Sequence, residues 1–212
     1  MKVIPAINET EFSAVLKKAE LVERFLPGAS FAQLDISDGH FGTRATWNNP
    51  EEAKQLPIKL AYELHLMVAE PEAVVSAWLS HPLVKRIVFH IETAADPFLL
   101  KRQIEAAGKE AGLAFHCSFP REMLFPILPQ FSFWQVVSVV PGESGQIFDD
   151  RALLAVRFLR EHSPNATIEV DGGVTPKVAS FIREAGADLI AASSYIFQNP
   201  DPVFAYNELA SF

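Results

Sequence analysis

Residues 167–175 read Thr-Ile-Glu-Val-Asp-Gly-Gly-Val-Thr. The β-branched and apolar residues at the start of this stretch predict a strand that ends in the carboxylate of Asp171. Two glycines follow, and then Thr175 and Pro176 have the residue types of a helix N-cap and first turn. Such a strand–Gly-Gly–helix junction lets backbone N–H groups approach an anion near the positive end of a helix. The stretch therefore predicts a phosphate-binding turn beside a carboxylate at a strand end.

Composition restricts the class of protein. The chain has 212 residues, of which 49% are hydrophobic and 21% charged, and this predicts one compact domain, 1–212, or less simply two small ones. A formal net charge of -8 argues against binding to nucleic acid or to an acidic membrane surface. The single cysteine, Cys117, excludes an internal disulfide, and no segment has the length and apolarity of a membrane span, so we expect a cytoplasmic protein. Seventeen phenylalanines predict additional buried surface of the kind found in a homo-oligomer.

Short apolar strands alternate with helical patterns along the whole chain. Eight such units leave about 26 residues per unit, close to the lower size limit of a (β/α)₈ TIM barrel. A doubly wound open sheet is the alternative, but the first strand–helix turn lacks a glycine-rich dinucleotide motif. The predicted strands are Lys2–Ile7, Phe31–Asp35, Ala61–Met67, Arg86–His90, Ala114–Ser118, Phe133–Val140, Thr167–Val170 and Leu189–Ala192. The predicted helices are Glu11–Phe25, Glu70–Ser80, Pro97–Ala111, Asp149–His162 and Pro176–Ala185, with irregular segments after the second and fifth strands.

Polar side chains accumulate at the predicted carboxyl ends of the strands, where barrel enzymes place their active sites. The two-residue period of a strand puts Asp35 on the same face as Gln33, and His65 on the same face as Met67. If these faces point inward, Asp35, His65 and Asp171 converge at one mouth of the barrel. Two carboxylates and an imidazole can hold a divalent metal, and carboxylates on two sides of a substrate can exchange protons with it. Taken singly, each residue could instead make a buried hydrogen bond or an ion pair.

Five short motifs follow one another along the chain, at Leu34–Phe41 (Leu-Asp-Ile-Ser-Asp-Gly-His-Phe), His65–Val68, Phe89–Glu92, Pro141–Phe148 (Pro-Gly-Glu-Ser-Gly-Gln-Ile-Phe) and Glu169–Val174. In sequence and in order they resemble the motifs of the ribulose-phosphate 3-epimerase family. The resemblance implies a (β/α)₈ barrel of the ribulose-phosphate-binding type. It also implies an isomerase of the pentose phosphate pathway that interconverts D-ribulose 5-phosphate and D-xylulose 5-phosphate through a metal-stabilised enediolate.

Position by position, the resemblance implies a role for each candidate site residue. Asp35 and Asp171 would be the two acid/base residues and also metal ligands, with His65 as a further ligand and Gln33 at a fourth ligand position. The metal would be Mg, Mn, Fe or Zn. The implied substrate- and phosphate-binding residues are Met67, Gly142, Gly145, Gly172, Gly173, Ser193 and Ser194. His90 and Glu92 fit the family pattern as well, but either could simply pack or pair at a strand end.

The chain also departs from the family pattern at the predicted mouth. The family's His-x-Asp motif is here Gln33-Leu-Asp35, and an amide is a poorer zinc ligand than imidazole, so we predict a weakened site that favours Mg²⁺ or Mn²⁺. A serine expected after the first strand aligns with Glu9, and a loop glycine aligns with Ser144. These changes keep two alternatives open: a related barrel enzyme with another sugar phosphate or an aldol-type reaction, and a non-catalytic sugar-phosphate-binding protein.

Overall fold

A computed structural model describes residues 1–212 and contains eight parallel strands that close into a barrel. Each strand pairs with the next one along the chain, and the eighth pairs with the first. The predicted TIM barrel is therefore confirmed, and the open sheet is wrong. The strands are β1 (Lys2–Ile7), β2 (Phe31–Ser37), β3 (Ala61–Met67), β4 (Val84–His90), β5 (Glu110–His116), β6 (Phe133–Val137), β7 (Thr167–Asp171) and β8 (Leu189–Ala192).

Helices connect most of the strands. The connections after β2 and β5 contain only short 3₁₀ turns, at Glu52–Gln55, Arg121–Leu124 and Leu128–Gln130, in agreement with the irregular segments predicted there. No helix is both long and apolar enough to span a bilayer. The helices are α1 (Phe12–Phe25), α2 (Pro71–Trp78), α3 (Pro97–Ala106), α4 (Arg151–His162), α5 (Pro176–Ala185), α6 (Ser194–Phe197) and α7 (Pro202–Ala210).

The largest error in the predicted boundaries concerns the connection from α3 to β5. The predicted helix Pro97–Ala111 ends at Ala106, and the strand predicted to begin at Ala114 begins at Glu110. Gly108 has a φ of 74°, a left-handed conformation that ends the helix and turns the chain toward the barrel. Alanine-rich sequence fits a helix and a buried strand equally well, so periodicity alone misplaced this boundary.

The predicted strand Phe133–Val140 was also too long. β6 ends at Val137, and residues 139–148 leave the barrel wall as a loop. The backbone N–H of Ser138 still donates to the carbonyl of Asp171, and its hydroxyl donates to the carbonyl of Gly172. The loop after β6 is thus held against the carboxyl end of β7.

Two separate cores stabilise the barrel. A cluster of 52 buried residues fills the space between strands and helices, and it includes Leu64 and Leu66, which point outward from β3 as their sequence parity predicts. A smaller cluster lies inside the barrel and consists of Ile4, Val88, Ala114, Phe133, Val137 and Leu189. The rest of the barrel interior is unusually polar, because the side chains of Gln33, Glu63, Gln135 and Glu169 have no exposed surface.

Arg86 neutralises part of this polar interior from the amino-terminal end of the barrel. Its guanidinium donates to the carboxylates of Glu63 and Glu110, and it lies 3.8 Å from the ring centre of Phe133 and 5.0 Å from that of Phe31. Burial raises the pKa of the Glu63 carboxyl, although Arg86 opposes that shift. Below the site, the barrel is thus closed by a charged layer between aromatic rings.

Candidate active site

Three of the predicted site residues meet at the carboxyl end of the barrel. The register of β2 and β3 places Asp35 directly beside His65. Nδ1 of His65 lies 2.9 Å from Oδ2 of Asp171 and 3.5 Å from Oδ1 of Asp35. Asp35 and His65 are buried, and Asp171 is nearly so. The parity of the strands and their parallel order are sufficient to bring these side chains together, as the sequence predicts.

The imidazole of His65 is held from its other side as well. Its Nε2 lies 2.9 Å from Nε2 of His90, and Nδ1 of His90 lies 3.3 Å from Oε2 of Glu92. Burial lowers the pKa of His90. Burial also opposes protonation of His65, but the carboxylates of Asp171 and Asp35 outweigh it and raise the pKa of His65 to about 10.

This hydrogen-bonded chain gives His90 and Glu92 more than a packing role. Because Glu92 accepts a hydrogen bond from Nδ1 of neutral His90, Nε2 of His90 is free to accept one from His65. The ring of His65 is thereby oriented with Nδ1 toward the two aspartates, an arrangement that hydrogen-bond partners behind a ligand histidine commonly impose. The pattern His-x-Glu at the end of β4 was the only sequence signal for this support.

Gln33 belongs to the same cluster but presents the nitrogen end of its amide. Nε2 donates to Oδ1 of Asp35 at 2.6 Å and to Oδ2 of Asp171 at 2.8 Å. Asp35, His65 and Asp171 each offer one ligand atom, and these atoms lie within 4.8 Å of one another. Carboxylate oxygen and imidazole nitrogen at this spacing fit a divalent cation. Ligation by Gln33 requires its oxygen end and stays a prediction.

All of the predicted substrate- and phosphate-binding residues line one pocket at this mouth, together with Asp35, His65 and Asp171. No lysine or arginine lines the pocket, so an anion there would depend on backbone N–H groups and hydroxyl groups. One edge of the pocket is fastened to β3, since the N–H of Gly142 lies 3.2 Å from Sδ of Met67. The predicted set is Met67, Gly142, Gly145, Gly172, Gly173, Ser193 and Ser194, and the structure brings its members together.

The glycines of the pocket differ in how closely other atoms approach the position that a Cβ would occupy. A Cβ on Gly142 would lie 2.5 Å from the backbone nitrogen of Thr43, and one on Gly173 would lie 2.5 Å from that of Phe148. These two glycines therefore allow the loops of the mouth to pack closely. A Cβ on Gly145 would meet nothing closer than Cβ of Ser194 at 3.9 Å, so this glycine borders open space.

The junction after β7 has the predicted form. α5 begins at Pro176 with Thr175 as its N-cap residue, although the Thr175 side chain makes no capping hydrogen bond. Gly172 and Gly173 both have positive φ angles, 101° and 61°. The backbone conformation at this junction is thus one that glycine adopts readily and other residues rarely do.

The sequence did not predict the residue that holds Asp35 from β1. Asn8, just after β1, lines the pocket and donates to Oδ2 of Asp35 at 3.1 Å. Its own oxygen accepts from Arg44 at 3.3 Å. Glu9, which aligns with the family's serine, instead forms an ion pair with Lys18 on α1. A polar side chain directly after a strand was the sequence signal for a site residue at this position. Asn8 is the residue that it indicated, and Glu9 is not.

Known proteins resemble this chain over almost its whole length. The model of the ribulose-phosphate 3 epimerase family matches residues 2–197. The cytoplasmic isoform of ribulose-phosphate 3-epimerase from Oryza sativa subsp. japonica is 32% identical over 210 residues, which cover 95% of this chain and 89% of that protein. Ribulose-phosphate 3-epimerase from Synechocystis sp. is 32% identical over 206 residues, which cover 94% and 88%.

Solved structures support the fold alone. 3-Hexulose-6-phosphate synthase superposes with a TM-score of 0.69 at 18% identity, over 100% of this chain and 99% of that one. Orotidine 5'-monophosphate decarboxylase from Sulfolobus solfataricus superposes with a TM-score of 0.66 at 14% identity, over 99% and 96%. The family match over nearly the whole chain carries the assignment: this chain belongs to the ribulose-phosphate 3-epimerase family.

Proposed function

We propose that this protein epimerises a ketose phosphate at C3, with D-ribulose 5-phosphate and D-xylulose 5-phosphate as the interconverted pair. The observation that carries the proposal is the convergence of Asp35 and Asp171 on His65 within a pocket walled by glycines and serines. Membership of the ribulose-phosphate 3-epimerase family supports the same reaction.

Asp35 and Asp171 are the acid/base pair in this proposal. One carboxylate removes the C3 proton, and the other carboxyl group returns a proton to the opposite face of the carbon. The two carboxylates can reach the substrate from different directions, because Asp35 lies on β2 and Asp171 on β7, on different sides of the barrel. Asn8 holds Oδ2 of Asp35, so the orientation of that carboxylate is restrained before substrate binds.

Asp35, His65 and Asp171 are the residues that would hold a divalent cation in this site. When bound, the cation supplies Lewis-acid stabilisation for the negative charge that develops on the substrate's carbonyl oxygen. We propose Mg²⁺ or Mn²⁺ in preference to Zn²⁺, since the fourth position carries the amide of Gln33 where imidazole would favour zinc.

In this proposal the phosphate group binds where the loops that follow β6, β7 and β8 line the pocket. Gly145, Gly172 and Gly173 line this part of the pocket and would supply backbone N–H groups, and Ser193 and Ser194 would add hydroxyl groups and further N–H groups. The absence of lysine and arginine from the pocket means that these neutral donors carry the dianion. Binding the phosphate in this way fixes the distance from the phosphate to C3 and hence the position of the reacting carbon.

The test of the proposal is exchange of the C3 proton with solvent. Asp35→Asn and Asp171→Asn should each abolish epimerisation of D-ribulose 5-phosphate, because each face of the carbon needs its own proton carrier, and each should retain deuterium incorporation at C3 from D₂O only in the epimer whose C3 proton faces the remaining carboxylate. Asp201→Asn is the matched control, since asparagine can also cap α7 and the residue is outside the pocket. Near wild-type epimerisation by either pocket variant would show that the two-base mechanism is wrong.

A second candidate is the same chemistry on another ketose phosphate. It is favoured by Glu143 and Ser144, which line the pocket in the loop where the family pattern departs. Measuring kcat/KM on a panel of pentulose and hexulose phosphates distinguishes the two. A clear preference for a hexulose phosphate would replace D-ribulose 5-phosphate as the substrate and leave the acid/base assignment intact.

A further inference from the structure

The amide of Gln33 lies where a cation would otherwise neutralise the two aspartates. Its NH₂ group donates to Asp35 and to Asp171, at 2.6 and 2.8 Å, and its side chain has no exposed surface. In this orientation the amide offers the carboxylates two N–H donors and offers a metal nothing. Its oxygen points the other way, into the barrel.

That oxygen is held from across the barrel by Gln135 on β6. Nε2 of Gln135 donates to Oε1 of Gln33 at 2.9 Å and to Oε1 of Glu169 at 2.7 Å, so both of its N–H groups have acceptors. Oε1 of Gln135 is buried and has no hydrogen-bond partner. Gln135 therefore acts toward Gln33 purely as a donor, and it matches only one of the two orientations of the Gln33 amide.

Turning the oxygen of Gln33 toward the aspartates and His65 has a defined cost. Nε2 of Gln33 would then face Nε2 of Gln135, and two donors cannot form a hydrogen bond. Turning the Gln135 amide as well restores that bond, but it breaks the bond that Gln135 donates to Glu169 and leaves the N–H groups of Gln135 without the acceptors they have now. An unmade bond of this kind is expensive inside a protein, where water cannot replace the lost partner.

We infer that Gln135 is a positioning residue that holds Gln33 in a non-ligating orientation, so that metal binding through Gln33 requires both amides to turn. This inference rests on the proposed metal site, and it explains how that site is kept weak by a residue that touches neither the metal ligands Asp35, His65 and Asp171 nor the pocket. Removing the amide of Gln135 should therefore strengthen metal binding.

The experiment is a double-mutant cycle read out as Mn²⁺ affinity by isothermal titration calorimetry, without substrate. Gln135→Met keeps the length of the side chain and removes its hydrogen bonds, and it should tighten Mn²⁺ binding about ten- to a hundredfold, the equivalent of one or two hydrogen bonds. In a Gln33→His background, the same substitution should change the dissociation constant less than about twofold, because no amide remains to be oriented. Gln135→Leu replaces Gln135→Met if the latter does not fold, as judged by urea unfolding.

The outcomes separate this inference from the proposal beneath it. Unchanged or weaker Mn²⁺ binding by the Gln135 variants, with binding by the wild type intact, would overturn the positioning role. So would an equal shift in the Gln33→His background, because the effect would then not pass through the Gln33 amide. No Mn²⁺ binding by any of the four forms would overturn the metal site itself, and this inference with it.

Discussion

A methyl group added at Gly145 tests whether the glycine and serine wall holds the phosphate. Gly145 has a φ of 86°, and a Cβ placed on it would lie 3.9 Å from Cβ and 4.0 Å from Oγ of Ser194, with nothing closer. Gly145→Ala therefore puts its methyl group into the gap between the β6–α4 loop and Ser194 without a clash with the protein. A loss of binding beyond the effect of the left-handed backbone strain would come from the substrate that has to share this gap.

The expected magnitudes differ for folding and for binding. Alanine in a left-handed conformation costs about 1–2 kcal/mol in the free energy of unfolding. Losing one hydrogen bond to a charged phosphate costs about 1.5–3 kcal/mol more in binding alone, and this corresponds to a rise of about 10- to 150-fold in KM. We expect kcat to change less, since Asp35 and Asp171 are untouched.

Gly108→Ala is the matched control for this substitution. Gly108 also has a positive φ, 74°, and lies between α3 and β5 outside the pocket, and a methyl group added to it would meet nothing within 4 Å. Urea unfolding should show a similar loss of stability in both variants, whereas only Gly145→Ala should raise KM and the inhibition constant of inorganic phosphate. Equal KM values in the two variants would refute the phosphate assignment.

Three further predictions concern the barrel interior, the thiol and the metal. Arg86→Met deprives the buried Glu63 of its partner and should lower the free energy of unfolding by about 3–5 kcal/mol in urea titrations. The exposed Arg151→Met should leave the unfolding midpoint unchanged, and equal midpoints for the two variants would contradict the charged layer. Burial raises the pKa of Cys117 to about 11, so that at pH 8 about one thiol in a thousand is ionised, and iodoacetamide should label the native protein far more slowly than the unfolded one; similar rates would show an accessible thiolate. Gln33→His should tighten Zn²⁺ binding after chelation and reconstitution, because imidazole is the better zinc ligand, and stoichiometric zinc in the unmodified protein would refute the weakened site.

The barrel and the centre of the site could be predicted because both follow from short-range rules. Parallel strands in chain order make β2 and β3 neighbours, and the two-residue period then places Asp35 beside His65. The position of Asp171 could be predicted from its place at the carboxyl end of β7 alone. The single domain 1–212, the cytoplasmic location and the homo-oligomer stay predictions.

The boundary after α3 and the partner of Asp35 could not be predicted in the same way. Gly108 reads from sequence as a helix residue or as a stop, and only packing of β5 against β4 and β6 decides between them. Asn8 and Glu9 both follow β1, and their side chains point in different directions. Which of the two points toward the pocket depends on the residue at which the strand ends. A shift of one residue decided which of them reaches Asp35.

The orientation of the Gln33 amide could not be predicted from the sequence. An amide has a donor end and an acceptor end, and the sequence does not show which end faces the ligand cluster. An amide at this position can offer its oxygen to a metal only if its NH₂ group finds acceptors on the side that faces away from the metal. Behind Gln33 lies Gln135, 102 residues away in sequence, whose donors are shared with Glu169. The replacement of the family's histidine by Gln33 is therefore not a local change of one ligand. It connects the ligand cluster to the buried polar layer beneath it, and the metal affinity of the mouth then depends on the hydrogen bonds of the barrel interior.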